Sequence, residues 1–180
     1  MKQKTILLWL IALYVAVGLN STTRAADNTE WLGGFKDWDA VAYIDGERSG
    51  CYIVSKPKSE KGKYTKRGDV YVLVSVSPKI TAGIVSFQAG YPFQEGSDIN
   101  VDIDGKKYTL FTNNETALAY EGEDQLFIER MQNGEKMIVV GFSKRGTKTT
   151  DTYSLMGFTA AYKYISQICD ITNWIKKIST

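Results

Sequence analysis

The sequence of 180 residues contains no histidine, and this absence excludes several kinds of active site. Serine and cysteine nucleophiles that depend on a histidine base are ruled out, as are zinc sites with histidine ligands. The phosphate-binding patterns GxxxxGK[ST] and GxGxxG are also missing. We therefore predict no cofactor and no metal site.

Carboxylate chemistry is the main enzymatic class left open. Any two of the 20 acidic residues could converge as the pair that a glycoside hydrolase needs, but no spacing selects such a pair. Residues 102–105 (DIDG) look like the start of a calcium loop but lack its later glutamate, so we interpret them as a hairpin turn. We expect no catalytic residues, with a small carboxylate-dependent hydrolase as the less favoured alternative.

Cysteine is scarce, since the chain has only Cys51 and Cys169. In an exported protein two cysteines are most simply one disulfide, which would tie an early strand to the last helix. The alternative is a reactive thiol. It is weakly supported, because the chain has neither a histidine to activate a thiol nor a CxxC motif.

The N-terminus lacks an apolar run long enough for a typical membrane span. Lys2 and Lys4 precede a thirteen-residue apolar run at residues 6–18, and small residues follow. A spanning helix needs about 20 apolar residues, so we predict a secretory signal peptide and not a retained anchor. Cleavage is expected after Ala25 or Ala26, which would place the protein in the periplasm, on the bacterial surface or in the medium.

The predicted mature protein has almost no net charge. Residues 1–25 contain three of the 22 basic residues and no acidic one, so 19 basic and 20 acidic residues remain. Nucleic-acid binding usually leaves a basic footprint, and we therefore predict no nucleic-acid partner. Residues 26–180 are long enough for one domain with a single core.

Short strand patterns dominate this domain. Residues 70–77 (VYVLVSVS) are rich in β-branched residues and alternate strictly at their end, and residues 98–103 and 106–111 flank the turn pair Asp104-Gly105. Helical spacing occurs at residues 123–132 and again from Phe158 to Cys169, where the helix would begin at Ser154 or Thr159. We predict an all-β sandwich of eight or so strands, with a short internal helix and a C-terminal amphipathic helix.

Three segments are candidate interaction surfaces. Residues 56–67 hold six basic residues and one acid, and we favour a solvated loop over a site for anionic sugars or lipid headgroups. Arg67-Gly68-Asp69 spells a tripeptide that integrins bind, although a glycine pivot before a strand explains it better. The tail at residues 171–178 could make peripheral membrane contact, but packing against the sheet is favoured.

Residues 143–155 (SKRGTKTTDTYSL) are rich in turn-forming and hydroxyl residues. We interpret them mainly as strand, turn and helix entry, with a partner surface as the alternative. Gly146 would adopt a backbone conformation that other residues resist, and Arg145 would reach Asp151 across the loop. Tyr153 and Leu155 would then alternate before the helix.

These segments together resemble the invasion-associated locus B family of exported bacterial proteins. The resemblance rests on residues 51–57 (CYIVSKP), 67–78 (RGDVYVLVSVSP), 90–93 (GYPF), 131–161 and Cys169, and its most specific part is the SxRGTxTxDxYSLxGFxAA pattern. It implies an immunoglobulin-like β-sandwich, a periplasmic or surface location and, in some pathogens, a role in entering erythrocytes. It implies no known catalytic residue or cofactor.

We therefore expect a disulfide-closed exported protein that acts through a protein or host-cell surface partner. A periplasmic envelope-maintenance protein without a host role is the alternative. The sequence identifies neither the partner nor the oligomeric state. The residues selected as candidate interaction or family-motif positions are Arg67, Gly68, Asp69, Arg145, Gly146, Thr147, Asp151, Tyr153 and Ser154.

Overall fold

The computed structural model describes residues 29–45, 48–77 and 80–169. The predicted signal peptide, its cleavage site and the tail at residues 170–180 lie outside these residues. The described strands are β1 (Thr29–Phe35), β2 (Trp38–Asp45), β3 (Arg48–Ser55), β4 (Ser59–Gly62), β5 (Tyr71–Ser77), β6 (Ile80–Gln88), β7 (Asp98–Ile103), β8 (Lys106–Asn113), β9 (Thr116–Leu118), β10 (Lys136–Phe142) and β11 (Lys148–Ser154). The described helices are α1 (Asp124–Gln132) and α2 (Phe158–Ile168).

The strands form one sheet in the order β1-β2-β3-β5-β6-β9-β8-β7-β10-β11-β4. Phe87 on β6 and Tyr153 on β11 lie five positions apart in this order, yet their ring centroids are 6.2 Å apart. Five strands of a flat sheet would separate them by about 24 Å, since neighbouring strands lie about 4.8 Å apart. The sheet therefore folds over on itself as two packed layers, which confirms the predicted all-β sandwich.

The alternating sequence patterns of the strands arise because one face of the sheet is buried in the core and the other is not. On β5, Val72, Val74 and Val76 point into the core while their neighbours are half-buried. β7 alternates in the same way. Side chains on a strand alternate between the two faces of the sheet, which is why these strands could be predicted from their sequence.

Three strands were not predicted, because their sequences carry little of this alternation. β1 and β4 occupy the two edges of the sheet, and β9 has only three residues. β4 (SEKG) lies inside the lysine-rich segment that we interpreted as a loop, and that interpretation was wrong for these four residues. Their strand conformation depends on pairing with β11, which the local sequence does not reveal.

Both predicted helices are confirmed, but the start of α2 differs. α1 buries Phe127, Ile128 and Met131. α2 begins at Phe158 after Gly157, and not at either predicted hydroxyl cap. Ser154 is still paired within β11, and the Thr159 hydroxyl donates to the carbonyl of Gln132 at 2.8 Å instead of capping the helix.

The predicted disulfide is confirmed. Cys51 on β3 is bonded to Cys169 just after α2, across 118 residues of sequence, with a Cα–Cα distance of 6.0 Å. Both cysteines are buried. Phe158 of α2 also meets Trp38 of β2 edge-to-face, with centroids 4.9 Å apart. Helix α2 is therefore fixed to β2 and β3 by a covalent bond and by packing.

Candidate functional site

A buried ion pair joins two of the sequence motifs, the segment 67–69 and β11. Arg67 Nη1 donates to Asp151 Oδ1 and Arg67 Nη2 donates to Asp151 Oδ2, both at 2.6 Å. Only 4% of the Arg67 side chain and 6% of the Asp151 side chain are exposed. Two parallel charge-assisted bonds fix both the orientation and the distance of the two groups.

The rest of the Arg67 guanidinium is also occupied by the chain itself. Its Nε donates to the carbonyl of Ala89 at 2.7 Å, and Nη1 approaches Glu60 Oε2 at 3.4 Å. The rings of Tyr91 and Tyr64 lie 5.0 Å and 5.6 Å from the guanidinium carbon, within the range of a cation–π contact. Internal contacts therefore surround this cation.

The surroundings of the site shift the pKa values of its titratable groups further from neutral pH. Burial alone would lower the pKa of Arg67, but the hydrogen bonds and the charge of Asp151 outweigh it and raise this pKa. Burial raises the pKa of Tyr91. Burial, and then the charge of Asp151, raise the pKa of Tyr153. A general acid or base works best with a pKa near the operating pH, so these shifts suit a structural role.

Two glycines bring the Arg67 segment against the sheet. The amide of Gly68 donates to the carbonyl of Gly90 at 2.8 Å. Gly90 has a φ of +71°, and a Cβ there would lie 2.6 Å from the Gly68 carbonyl carbon. Only glycine allows this approach at position 90, and the approach places Arg67 above Asp151.

The inward face of β11 supplies the other half of the site. Thr149, Asp151 and Tyr153 are buried, while the residues between them are half-buried. The hydroxyls of Tyr91 and Thr149 are 2.5 Å apart. The cavity beside these side chains has a volume of about 10 Å³. It therefore has room for about one water molecule and not for a substrate.

The predicted contact between Arg145 and Asp151 is wrong. Asp151 points inward and binds Arg67, whereas Arg145 lies exposed in the turn between β10 and β11. The sequence indicated only that Arg145 lies close enough to reach Asp151 across the loop. It could not indicate that the cation bound to Asp151 lies 84 residues earlier in the chain.

The remaining candidates are spread around this pair. Gly146 and Thr147 belong to the exposed turn, where the Thr147 amide donates to Ser143 Oγ at 3.2 Å. Asp69 is exposed next to the buried Arg67, so the tripeptide 67–69 is not presented as one accessible unit. At the far end of β11, the carbonyl of Ser154 accepts a bond from Trp38 Nε1 at 3.1 Å.

Gly146 provides a test of the turn interpretation. Its φ is +78° and a Cβ there would meet no atom within 4 Å, so alanine would cause backbone strain without a clash. We expect Gly146→Ala to lower the free energy of unfolding by about 1 to 2 kcal/mol, measured by urea titration. Lys144→Ala in the same turn is the control, with an expected change within about 0.5 kcal/mol. Equal stability of both variants would contradict the interpretation.

Because Tyr153 is buried in the core, we expect the folded protein to lose stability at high pH. Its pKa is raised above 10.0 in the fold, so the phenol stays protonated there while it ionises in the unfolded chain. The stabilisation is therefore complete below pH 10 and declines as the pH rises above it. Tyr153→Phe should reduce this decline in urea titrations at pH about 8 and about 11. Tyr71→Phe, which removes a phenol from the outer side of β5, is the matched control.

Residues 29–45, 48–77 and 80–169 contain neither a candidate metal-binding cluster nor a candidate membrane-spanning helix. No group of three or more Cys, Asp or Glu side chains there is placed to hold a metal ion. No helix there is long and apolar enough to cross a membrane.

Comparisons with known proteins cover the region that contains the ion pair. The family model described as "Invasion associated locus B (IalB) protein" matches residues 38–166, from the start of β2 into α2. No curated protein matches the chain. The crystal structure of invasion associated protein b from Bartonella henselae is similar with a TM-score of 0.54 and 10% identity. The similarity covers 76% of this chain and 95% of that one, and at this identity it concerns the fold.

Proposed function

Because this chain belongs to the invasion associated locus B family, we propose that it is an exported protein that acts by contact with another protein or a cell surface, and not by catalysis. The family match is the observation that carries this proposal. It spans β2 to α2, and therefore most of the described sandwich.

The arrangement of the family motif supports contact as the mode of action. Asp151 and Tyr153 of this motif point into the core, and Asp151 is bound by Arg67. Groups held in this way stabilise a scaffold and are not free to react with a substrate. The exposed residues of the same motif, Arg145 and Gly146, lie in a surface turn that a partner can reach.

We further propose that this contact contributes to entry into host cells, including erythrocytes. The support is the family description and the name of the similar crystal structure, which refers to an invasion associated protein of Bartonella henselae. The predicted signal peptide is consistent with this role, because export would bring the protein to the cell envelope or beyond it.

The test compares where the protein resides with what its loss does. Intact bacteria are treated with protease, fractionated and probed for the protein, and a deletion strain is compared with its parent for entry into erythrocytes. We expect digestion on intact cells and reduced entry, restored by the intact gene but not by a copy lacking residues 1–25. Equal entry by mutant and parent would contradict the host role. Complete protection from protease, together with envelope defects, would favour envelope maintenance instead.

A further inference from the structure

A basic groove lies at one edge of the sheet, between β4 and the turn that joins β10 to β11. Its volume is about 570 Å³, and it is lined by Lys61, Lys63, Lys148, Thr147 and Thr150 together with two glycines. Ligand sites in proteins commonly have volumes of about 300 to 1,000 Å³. The groove is therefore large enough for part of an extended ligand.

The sheet topology creates this groove from two segments that are distant in sequence. β4 pairs with β11, so that Lys61 lies opposite Thr150 and Gly62 opposite Thr149. The lysine-rich segment 56–67 and the segment 144–148, which is also basic, therefore share one edge of the fold. The side chains of Lys61, Lys63 and Lys148 are exposed there.

The positive charge of the groove is not neutralised by the chain itself. Lys58 is bound to Asp37, and the only acid of the lysine-rich segment, Glu60, approaches Arg67. Among the residues that the structure describes, Lys61, Lys63 and Lys148 form no ion pair. The groove lining contains no carboxylate. Three free ammonium groups in one concave site favour an anionic ligand.

We propose that this groove binds an anionic polysaccharide whose sugars carry sulfate or carboxylate groups. The lysines would contact the acidic groups, and the Thr147 and Thr150 hydroxyls would bond sugar hydroxyls.

The lining favours a polysaccharide over a membrane. Stable attachment to a bilayer usually combines basic residues with large apolar side chains or a lipid anchor, and the groove is lined by lysine, threonine and glycine alone. The inference rests on the proposed contact function and makes it more specific, since it names the chemistry of the surface that would be contacted.

The experiment uses the disulfide-bonded mature chain and heparin as the probe. Affinity is measured by calorimetry at several salt concentrations for the wild type and for the variant Lys61→Gln/Lys63→Gln/Lys148→Gln. A lysine held near an anionic surface contributes about fivefold to affinity, so the triple variant should bind roughly 100-fold more weakly. The wild-type affinity should also fall as salt is added.

The matched control is Lys106→Gln/Lys136→Gln/Lys163→Gln, which removes the same charge elsewhere. Lys136 lies opposite Ser154, and the six residue steps along β11 from Lys148 to Ser154 place these two residues about 20 Å apart. We expect this control to bind heparin within about twofold of the wild type, since distant exposed charges are screened.

Three outcomes would overturn the inference. They are equal heparin affinity in both triple variants, tighter binding to phosphatidylglycerol vesicles than to heparin, and tighter binding to an oligonucleotide of matched charge. The proposed function is judged separately by the entry assay. A protein that does not bind heparin but still supports entry would contradict the polysaccharide site alone.

Discussion

Replacing Arg67 with methionine is expected to lower the free energy of unfolding by about 3 to 5 kcal/mol, because Asp151 would keep a buried charge without its partner. Both side chains are nearly inaccessible to water, and the two bonds between them are 2.6 Å long. In a domain of this size the melting temperature should fall by roughly 6 to 20 °C. Urea titration followed by circular dichroism measures the effect.

Three further variants separate the ion pair from other effects of the mutation. Arg67→Lys keeps the charge but cannot form two parallel bonds, so its loss of stability should be intermediate. The double variant Arg67→Met/Asp151→Leu should recover most of the stability, because an apolar pair leaves no unpaired charge. Arg145→Met, in the exposed turn, should change stability by at most about 0.5 kcal/mol. A cost for Arg67→Met as small as that of Arg145→Met would contradict the buried clamp.

Removing the disulfide is the second change with a large expected effect. The variant Cys51→Ala/Cys169→Ala should lose about 2 to 5 kcal/mol of stability. The bond closes a loop of 118 residues, and in the chain-entropy model closure of a loop this long restricts the unfolded chain by about 5 kcal/mol. The effect should therefore appear mainly as a lower urea midpoint with the fold retained.

Reduction of the wild type provides the matching measurement. Dithiothreitol should lower the urea midpoint of the wild type to that of the alanine variant and should leave the variant unchanged. The edge-to-face contact between Trp38 and Phe158 does not depend on the bond, so α2 should remain helical in the folded state of both. Identical midpoints for oxidised wild type and alanine variant would show that the bond does not stabilise the domain.

The two changes should be nearly additive when they are combined. The disulfide joins β3 to the end of α2, whereas the ion pair joins the segment before β5 to β11. Distant sites that share no contact usually change stability independently, within about 0.5 kcal/mol. A much larger combined loss would indicate that the two connections support the same part of the fold.

The sequence by itself determined the parts of this protein that follow local patterns. The β-branched residues of the segment 70–77 and the strict alternation at its end predicted β5, and the spacing of apolar residues at 123–132 predicted α1. Only two cysteines were available, so their pairing needed no knowledge of the fold. The motif at residues 131–161 indicated the family that the comparisons then showed.

Tertiary structure decided which groups these elements bring together. The sequence predicted that Asp151 is bound by the nearby Arg145, whereas its partner is Arg67, which the Gly68–Gly90 contact between distant segments brings to Asp151. The basic groove likewise exists because β4 pairs with β11, although 85 residues (63–147) lie between these two strands in the sequence. A side-chain pattern specifies which face a residue occupies, whereas the neighbouring strand is selected by the packing of the whole sheet, to which every strand contributes.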